Sequence, residues 1–151
     1  MSDPPAEPIA RIFGPEAVGR RIRIHGWLVR SRSSGGLLFL VVRDRTGQVQ
    51  VTARRDVLGE ADFDRAEHVQ IEGSVDIEGT VAEDRRSPGG RELKAARIRV
   101  VQSGDPFPVM ADQTEEFRLD QRHLVVRSPE MVATFRVKAE ILRALREFLS
   151  S

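Results

Sequence analysis

Four side chains in the first third of the chain could together hold a single-stranded nucleic acid. Phe39 offers an aromatic ring, Gln50 an amide, and Arg30 and Arg32 two guanidinium groups. Unpaired bases are held by stacking on aromatic rings, by arginines that contact phosphates and by polar groups that recognise base edges. A second interpretation stays open at this point, because most phenylalanines on strands belong to the hydrophobic core.

No comparable set of residues predicts a catalytic or metal centre. Three scattered histidines lack the spacing of metal-ligand motifs such as HExxH: His25, His68 and His123. The two Gly-Gly pairs lie in predicted hairpin turns rather than in a strand-to-helix phosphate loop. The chain has no cysteine, which excludes thiolate chemistry and disulfides. We therefore expect no catalytic residue and no metal ligand in this stretch.

The charge distribution favours a local nucleic-acid surface over a general polyanion binder. The 151 residues carry 24 Lys or Arg against 23 Asp or Glu. Residues 1–60 hold 10 of the basic and 6 of the acidic residues, so the positive excess lies around the four candidates. No apolar run approaches the roughly 20 residues of a membrane span. We expect a cytoplasmic protein with no membrane partner.

The elements that must position these residues form a mainly β fold. Apolar patterns predict strands at residues 21–30, 37–42, 48–53, 69–81 and 92–101, with a short helix at 57–68. Five strands with one helix between the third and the fourth are typical of the OB-fold, a small Greek-key barrel. The nearly continuous apolar run at 37–42 predicts a strand covered on both faces, and Gly26 predicts a bulge or bend.

Four segments are expected along the chain. They are a disordered lead-in, an OB-fold domain, a linker or hinge, and an amphipathic helix, at residues 1–10, 11–103, 104–128 and 129–151. Ser128, Pro129 and Glu130 form a typical helix start. The apolar face of this helix has no partner in the sequence. We expect either a truncated product or a stand-alone protein that hides the face by self-association.

The segment GWLVRSRSSGGLLFLVVRDRTGQVQ, from Gly26 to Gln50, resembles the anticodon-binding OB domain of the class IIb synthetases for aspartate, asparagine and lysine. The shared pattern is Gly-Trp, spaced arginines, Gly-x-Leu-x-Phe, an Arg-Asp-x-x-Gly turn and a later Gln. The segments EDRRSPGGREL (83–93) and LDQRHLVVRSPEM (119–131) are similar to the hairpin and hinge of asparaginyl-tRNA synthetases. The resemblance covers residues 11–151, and residues 129–151 resemble the first helix of the catalytic domain.

The resemblance implies a role for each candidate residue. Phe39 would stack on the middle anticodon base, a uridine, and Gln50 would hydrogen-bond the edge of that base. Glu92 matches an acidic residue that helps to recognise an adjacent base, and we expect its side chain to be exposed. Arg32 and Arg30 match arginines that lie beside the anticodon. The implied partner is the anticodon loop of a tRNA with the anticodon GUU.

The family ligates asparagine to its tRNA through an aminoacyl-adenylate, and it binds ATP and magnesium in its catalytic domain. This stretch is therefore expected to bind tRNA without cofactor and to be inactive alone, within a family expected to be homodimeric. Three alternatives stay open. They are a stand-alone OB module for single-stranded nucleic acid, the equivalent domain of an aspartyl-tRNA synthetase, and a purely structural role in which the last helix forms a homodimer.

Overall fold

The chain folds into two compact units in a computed structural model that describes residues 5–109 and 113–150. The first unit ends at Phe107 and the second begins at Pro108. This division lies four residues beyond the expected end of the OB-fold domain at residue 103. Each unit has its own secondary structure and is described separately.

Five strands form the first unit, in agreement with the predicted fold. They are β1 (Arg21–Ser34), β2 (Leu37–Arg43), β3 (Gln48–Arg54), β4 (Ser74–Glu83) and β5 (Arg91–Gln102). They close into a barrel in the order β1-β2-β3-β5-β4. The β3–β5 pair is parallel and the other neighbouring pairs are antiparallel. The predicted five-stranded OB-fold barrel is confirmed.

Alternating side chains of the strands fill the barrel. In β2, for example, Leu38, Leu40 and Val42 are buried, whereas Leu37, Phe39, Val41 and Arg43 are partly exposed. Successive side chains of a strand point to opposite faces, so this alternation places one set inside the barrel. The prediction that β2 is covered on both faces is wrong, because its outward face is only half covered.

Strand β1 pairs with β4 over its first half and with β2 over its second half. The change of partner occurs at Trp27, and the register with β2 shifts between Leu28 and Arg30. Gly26 lies against the neighbouring strand: a Cβ atom there would be 2.5 Å from Val42 Cγ1 and 2.6 Å from the Arg43 carbonyl oxygen. The glycine thus permits a close approach of β1 to β2, next to the predicted irregularity.

The predicted helix at 57–68 consists of two helices, α1 (Arg55–Leu58) and α2 (Glu60–Glu67). Gly59 separates them with a φ of +81°, a conformation that side-chain-bearing residues rarely adopt. Phe63 and Ala66 of α2 are buried in the barrel core. The following strand begins at Ser74 rather than at residue 69.

The expected disordered lead-in at residues 1–10 is wrong for its described part. Ile9 and Ile12 are fully buried in the core, within a 3-10 turn at Ile9–Phe13. The Ile9 N–H donates to Asp44 Oδ2 at 2.8 Å, and the Glu7 N–H donates to the Arg23 carbonyl at 2.7 Å. Burial of two isoleucines supplies the free energy that orders this segment. Residues 1–4 of the lead-in lie outside the described residues.

The second unit contains three helices among its described residues. They are α3 (Glu115–Asp120), α4 (Arg122–Val125) and α5 (Pro129–Ser150). The Thr114 hydroxyl caps α3 by accepting the Phe117 N–H, so the expected linker at 104–128 contains helical structure. The predicted start of the last helix is confirmed, since Ser128 Oγ accepts the Met131 N–H. Residues 110–112 and 151 lie outside the described residues.

Helix α5 is amphipathic, as predicted, and its apolar side chains are exposed within the described structure. Phe135, Ile141, Leu142 and Leu145 are about half exposed, and Leu149 is 80% exposed. Although α5 has 22 residues, none of the described helices combines the length and the apolarity that a bilayer span requires.

Candidate nucleic-acid interface

Phe39 lies on the outward face of β2, outside the buried core. Its backbone pairs with Arg32 of β1 on one side and with Thr52 of β3 on the other. The ring is partly exposed because the alternation in β2 turns Leu38 and Leu40 inward instead. Of the two interpretations left open by the sequence, the core position is therefore wrong. The exposed part of the ring is accessible to a base of a bound nucleic acid.

Arg32 and Arg30 are exposed at the end of β1, beside Phe39 and Val41 respectively. The Arg32 guanidinium carbon lies 4.8 Å from the centroid of the Phe39 ring, a cation–π distance. Within residues 5–109 and 113–150, neither arginine is paired with a carboxylate. Both guanidinium groups are thus available to phosphate.

Gln50 and Glu92 are brought together by the parallel pairing of β3 with β5. The two residues are backbone partners, and Gln50 Nε2 donates to Glu92 Oε2 at 3.3 Å. The same nitrogen donates to Ser87 Oγ at 2.8 Å. Only 7% of Glu92 is exposed, so the expectation of an exposed carboxylate is wrong. The hydrogen bond from Gln50 of β3 replaces part of the water that an exposed carboxylate would bind.

A groove with a volume of about 690 Å³ runs along this side of the barrel. We call it the Phe39 groove. Its walls combine apolar, cationic and acidic side chains, including Phe39, Thr52, Arg54, Arg86, Glu92 and Lys94. The volume lies within the range of small-molecule sites. A groove lined by an aromatic ring, by arginines and by a lysine suits a stacked base next to its phosphate.

The structure brings four of the five predicted site residues into one connected set. Phe39 and Glu92 line the groove, Arg32 contacts the Phe39 ring, and Gln50 bonds Glu92. Arg30 lies two residues before Arg32 in β1, and no contact is described between Arg30 and the other four residues. The set is a geometric basis for base binding, and the role of each residue stays a prediction.

Sequence reasoning missed two polar residues of the hairpin between β4 and β5. Ser87 is only 5% exposed, and its Oγ donates to Asp84 Oδ2 at 2.9 Å. Hydrogen bonds from the Arg86 N–H and from the Ser87 hydroxyl lower the pKa of the Asp84 carboxyl below its ordinary value. A local signal was present, because an Asp followed by Ser three residues later is typical of side-chain-stabilised turns.

A second polar region covers the outer side of β1, β4 and β5. We call it the paired-charge face, and its residues are Arg21, Arg23, Asp76, Glu78, Arg97 and Arg99. Asp76 is 6% exposed and accepts from Arg23 Nη2 at 2.7 Å and from Arg99 Nη2 at 2.8 Å. The hydrogen bond from Arg23 outweighs the effect of burial and lowers the pKa of Asp76 to about 2. Glu78 is bridged in the same way by Arg21 and Arg97.

The described residues offer no donor set for magnesium. Within residues 5–109 and 113–150, no three His, Asp or Glu side chains lie close enough together to hold a metal ion.

Fold and groove together define a nucleic-acid-binding OB domain. Residues 22–101, just over half of the chain, match the family model of the OB-fold nucleic acid binding domain of the tRNA anticodon type. The chain belongs to this family.

Two individual proteins show which tRNA ligases the chain is similar to. Over 140 residues the chain is 44% identical to the asparagine–tRNA ligase of Thermoplasma acidophilum, covering 93% of the chain and 33% of that protein. It is 33% identical over 142 residues to the aspartate–tRNA(Asp/Asn) ligase of Archaeoglobus fulgidus, covering 90% of the chain and 33% of that protein. The predicted resemblance to the anticodon-binding domain of asparaginyl-tRNA synthetase is confirmed.

A solved structure gives the same result for the fold. The asparaginyl-tRNA synthetase of Pyrococcus horikoshii, in complex with asparaginyl-adenylate, matches with a TM-score of 0.88 at 34% identity. The match covers 96% of this chain and 34% of that one. The chain thus spans about a third of the length of the relatives that it matches.

Proposed function

We propose that the Phe39 groove binds the anticodon loop of a tRNA that carries the anticodon GUU. The observation that carries the proposal is the assembly of Phe39, Arg32, Gln50 and Glu92 on one outward face. An aromatic ring, an unpaired cation and a hydrogen-bonded amide supply the stacking, phosphate and base-edge contacts that single-stranded RNA requires. Family membership and the asparagine–tRNA ligase relatives support the choice of tRNA.

Each side chain has a distinct part in this proposal. Phe39 stacks on the middle base, a uridine, and Gln50 hydrogen-bonds its Watson–Crick edge. Glu92 helps to recognise an adjacent base. A carboxylate makes binding selective because it accepts hydrogen bonds from the amino groups of bases but repels phosphate. Arg32 and Arg30 contact the backbone phosphates.

The proposal extends to the whole protein through its relatives. We propose that these residues serve a cytoplasmic, homodimeric asparagine–tRNA ligase, whose ATP- and magnesium-dependent chemistry takes place outside the described residues. The alternative amino acid is aspartate, since one relative is an aspartate–tRNA(Asp/Asn) ligase. The proposed contacts of the groove residues are with the anticodon, so they do not distinguish between the two amino acids.

Replacement of Phe39 by alanine tests the stacking contact. Stacking contributes about 1–3 kcal/mol per base, so Phe39→Ala is expected to weaken binding of a GUU stem-loop about 5- to 150-fold. Trp27→Ala is the matched control, because Trp27 is 44% exposed and does not line the Phe39 groove. Fluorescence anisotropy with a labelled stem-loop measures both, and equal losses in the two variants would contradict the proposal.

A scrambled loop separates anticodon recognition from general binding. We expect the unchanged chain to prefer the GUU loop over a loop of the same composition in another order. Equal affinities would instead support a stand-alone module for single-stranded nucleic acid.

The exposed apolar face of α5 favours one further candidate role, self-association. Sedimentation velocity over a range of concentrations tests it. A monomer at every concentration would count against a structural role of α5 in a homodimer of this chain.

A further inference from the structure

A chain of hydrogen bonds links the hairpin between β4 and β5 to the amide of Gln50. Asp84 Oδ2 accepts from Ser87 Oγ at 2.9 Å, and Ser87 Oγ accepts from Gln50 Nε2 at 2.8 Å. Gln50 Nε2 also donates to Glu92 Oε2 at 3.3 Å. Ser87 and Glu92 are 5% and 7% exposed, so water competes little for these contacts.

The chemistry of the partners determines the direction of every bond in this chain. An ionised carboxylate only accepts, so the Ser87 hydroxyl must give its proton to Asp84. The oxygen of Ser87 is then left as an acceptor, and the Glu92 carboxylate is an acceptor as well. The group of Gln50 that faces both must therefore be the NH₂ group and not the carbonyl.

The carbonyl of Gln50 is consequently the part of the amide that remains for a ligand. Both hydrogens of Nε2 are used by Ser87 and Glu92. No described residue donates a hydrogen bond to Oε1 of Gln50. The amide thus presents an acceptor in a fixed orientation, whereas a free glutamine could turn either end towards a base.

We propose that Ser87 and Asp84 are positioning residues that hold the Gln50 amide with Oε1 towards the middle anticodon base, and that this orientation selects uracil over cytosine. The inference rests on the proposed function, in which Gln50 faces that base. Uracil carries an N3–H donor that Oε1 can accept, whereas cytosine carries an acceptor at N3. With the amide reversed, its NH₂ group would instead match the N3 of cytosine.

The experiment compares two stem-loops that differ only in the middle anticodon base, GUU and GCU. The quantity measured is the ratio of their dissociation constants. One hydrogen bond corresponds to a factor of about 3 to 10, so Ser87→Ala is expected to reduce the preference for U by that factor. Ser74→Ala is the matched control, because Ser74 lies at the start of β4 and outside the Phe39 groove.

Asp84→Asn tests the direction of the hydrogen bonds between residue 84, Ser87 and Gln50 without shortening a side chain. Its oxygen can still accept the Arg86 N–H, as Asp84 Oδ1 does at 3.0 Å, which turns the new NH₂ group towards Ser87. The Ser87 hydroxyl then donates to Gln50, which favours the reversed amide. We expect a reduced preference for U in this variant also, with an unfolding midpoint close to that of the unchanged chain.

Proton exchange provides a measurement that needs no variant and no RNA. The Nε2 hydrogens of Gln50 should exchange with water at least several-fold more slowly than those of the exposed Gln70, because only the former are bonded to Ser87 and Glu92. Equal exchange rates would overturn the inference, even if Ser87→Ala failed to fold.

The outcomes distinguish this inference from the proposed function. If the unchanged chain binds neither loop, or binds both equally, the proposed function fails. If it prefers GUU and both variants keep the full preference, then the positioning role of Ser87 and Asp84 is wrong while the proposed function stands. A reduced preference in both variants, with Ser74→Ala unchanged, supports the inference.

Discussion

The paired-charge face and the region of Arg32 and Phe39 belong to the same barrel but use arginine in opposite ways. The two arginines in the groove walls, Arg54 and Arg86, are paired with Asp56 and Asp84 and do not enter this contrast. On the paired-charge face, Asp76 is held by Arg23 and Arg99, and Glu78 by Arg21 and Arg97. At the groove, Arg32 lies on an aromatic ring, and within the described residues no carboxylate pairs with it.

The difference shows on which surface the charged side chains are paired within the protein. On the paired-charge face the cations and carboxylates satisfy one another, and the result is stability of the folded chain. Beside the groove, Arg32 has no carboxylate partner within the described residues, the Phe39 ring is partly exposed, and the Gln50 carbonyl accepts no hydrogen bond from a described residue. An anionic, aromatic ligand such as RNA supplies those partners. The comparison predicts that substitutions on the two surfaces have separable effects.

The largest effect is expected from Asp76→Ala on the paired-charge face. Removal of the carboxylate takes away the acceptor that Arg99 shares with Arg23, whose side chain is 12% exposed. Breaking such a buried pair costs about 3–5 kcal/mol of unfolding free energy. Urea denaturation followed by circular dichroism measures the loss.

The matched comparison is Phe39→Ala, with both variants assayed at a temperature at which they are folded. We expect Asp76→Ala to lose stability and keep its affinity for the GUU stem-loop, and Phe39→Ala to do the reverse. A large loss of affinity in folded Asp76→Ala would show that the two surfaces are not independent.

The pH dependence of stability gives a smaller effect on the same face. Because hydrogen bonding from Arg23 lowers the pKa of Asp76 to about 2 from its ordinary 3.8, the stabilisation is present above about pH 5 and is lost as the pH falls towards 2. The difference in pKa corresponds to about 2 kcal/mol. The gap in unfolding free energy between the unchanged chain and Asp76→Asn should therefore narrow by that amount between pH 6 and pH 2. A gap that does not change with pH would contradict this account.

Local patterns in the sequence were sufficient for the barrel, but they left the position of Phe39 open between core and surface. Period-two alternation predicts β1 and β3, and the same alternation in the structure places Phe39 outside. The continuous apolar run of β2 concealed this alternation, because Leu37 and Val41 are apolar although they face outward.

Long-range contacts were not accessible from local patterns. Ile9 is buried because it packs in the barrel core and bonds Asp44, which lies 35 positions later. The contact between Gln50 and Ser87 spans 37 positions and depends on the parallel β3–β5 pairing. No local period encodes such a pairing. The turn formed by Asp84 and Ser87 had a local signal, but the contact of Ser87 with Gln50 is visible only in three dimensions.

The smallest effect is expected from single arginines at the groove, and it is measured as a salt dependence. If Arg30 and Arg32 contact phosphates, each replacement by glutamine removes one released counterion. For single-stranded nucleic acid, the slope of log affinity against log salt concentration should become shallower by about 0.7 per arginine.

Arg21→Gln is the matched control for this measurement. Arg21 is similarly exposed, with 69% of its side chain accessible, but Glu78 already neutralises it at 3.2 Å. Its replacement should leave the slope unchanged, because a paired arginine holds no counterion that a phosphate could displace. If the slope fell equally in Arg21→Gln and Arg32→Gln, the phosphates would be bound by overall charge. The absence of a carboxylate partner at Arg32 would then have no bearing on where the RNA lies.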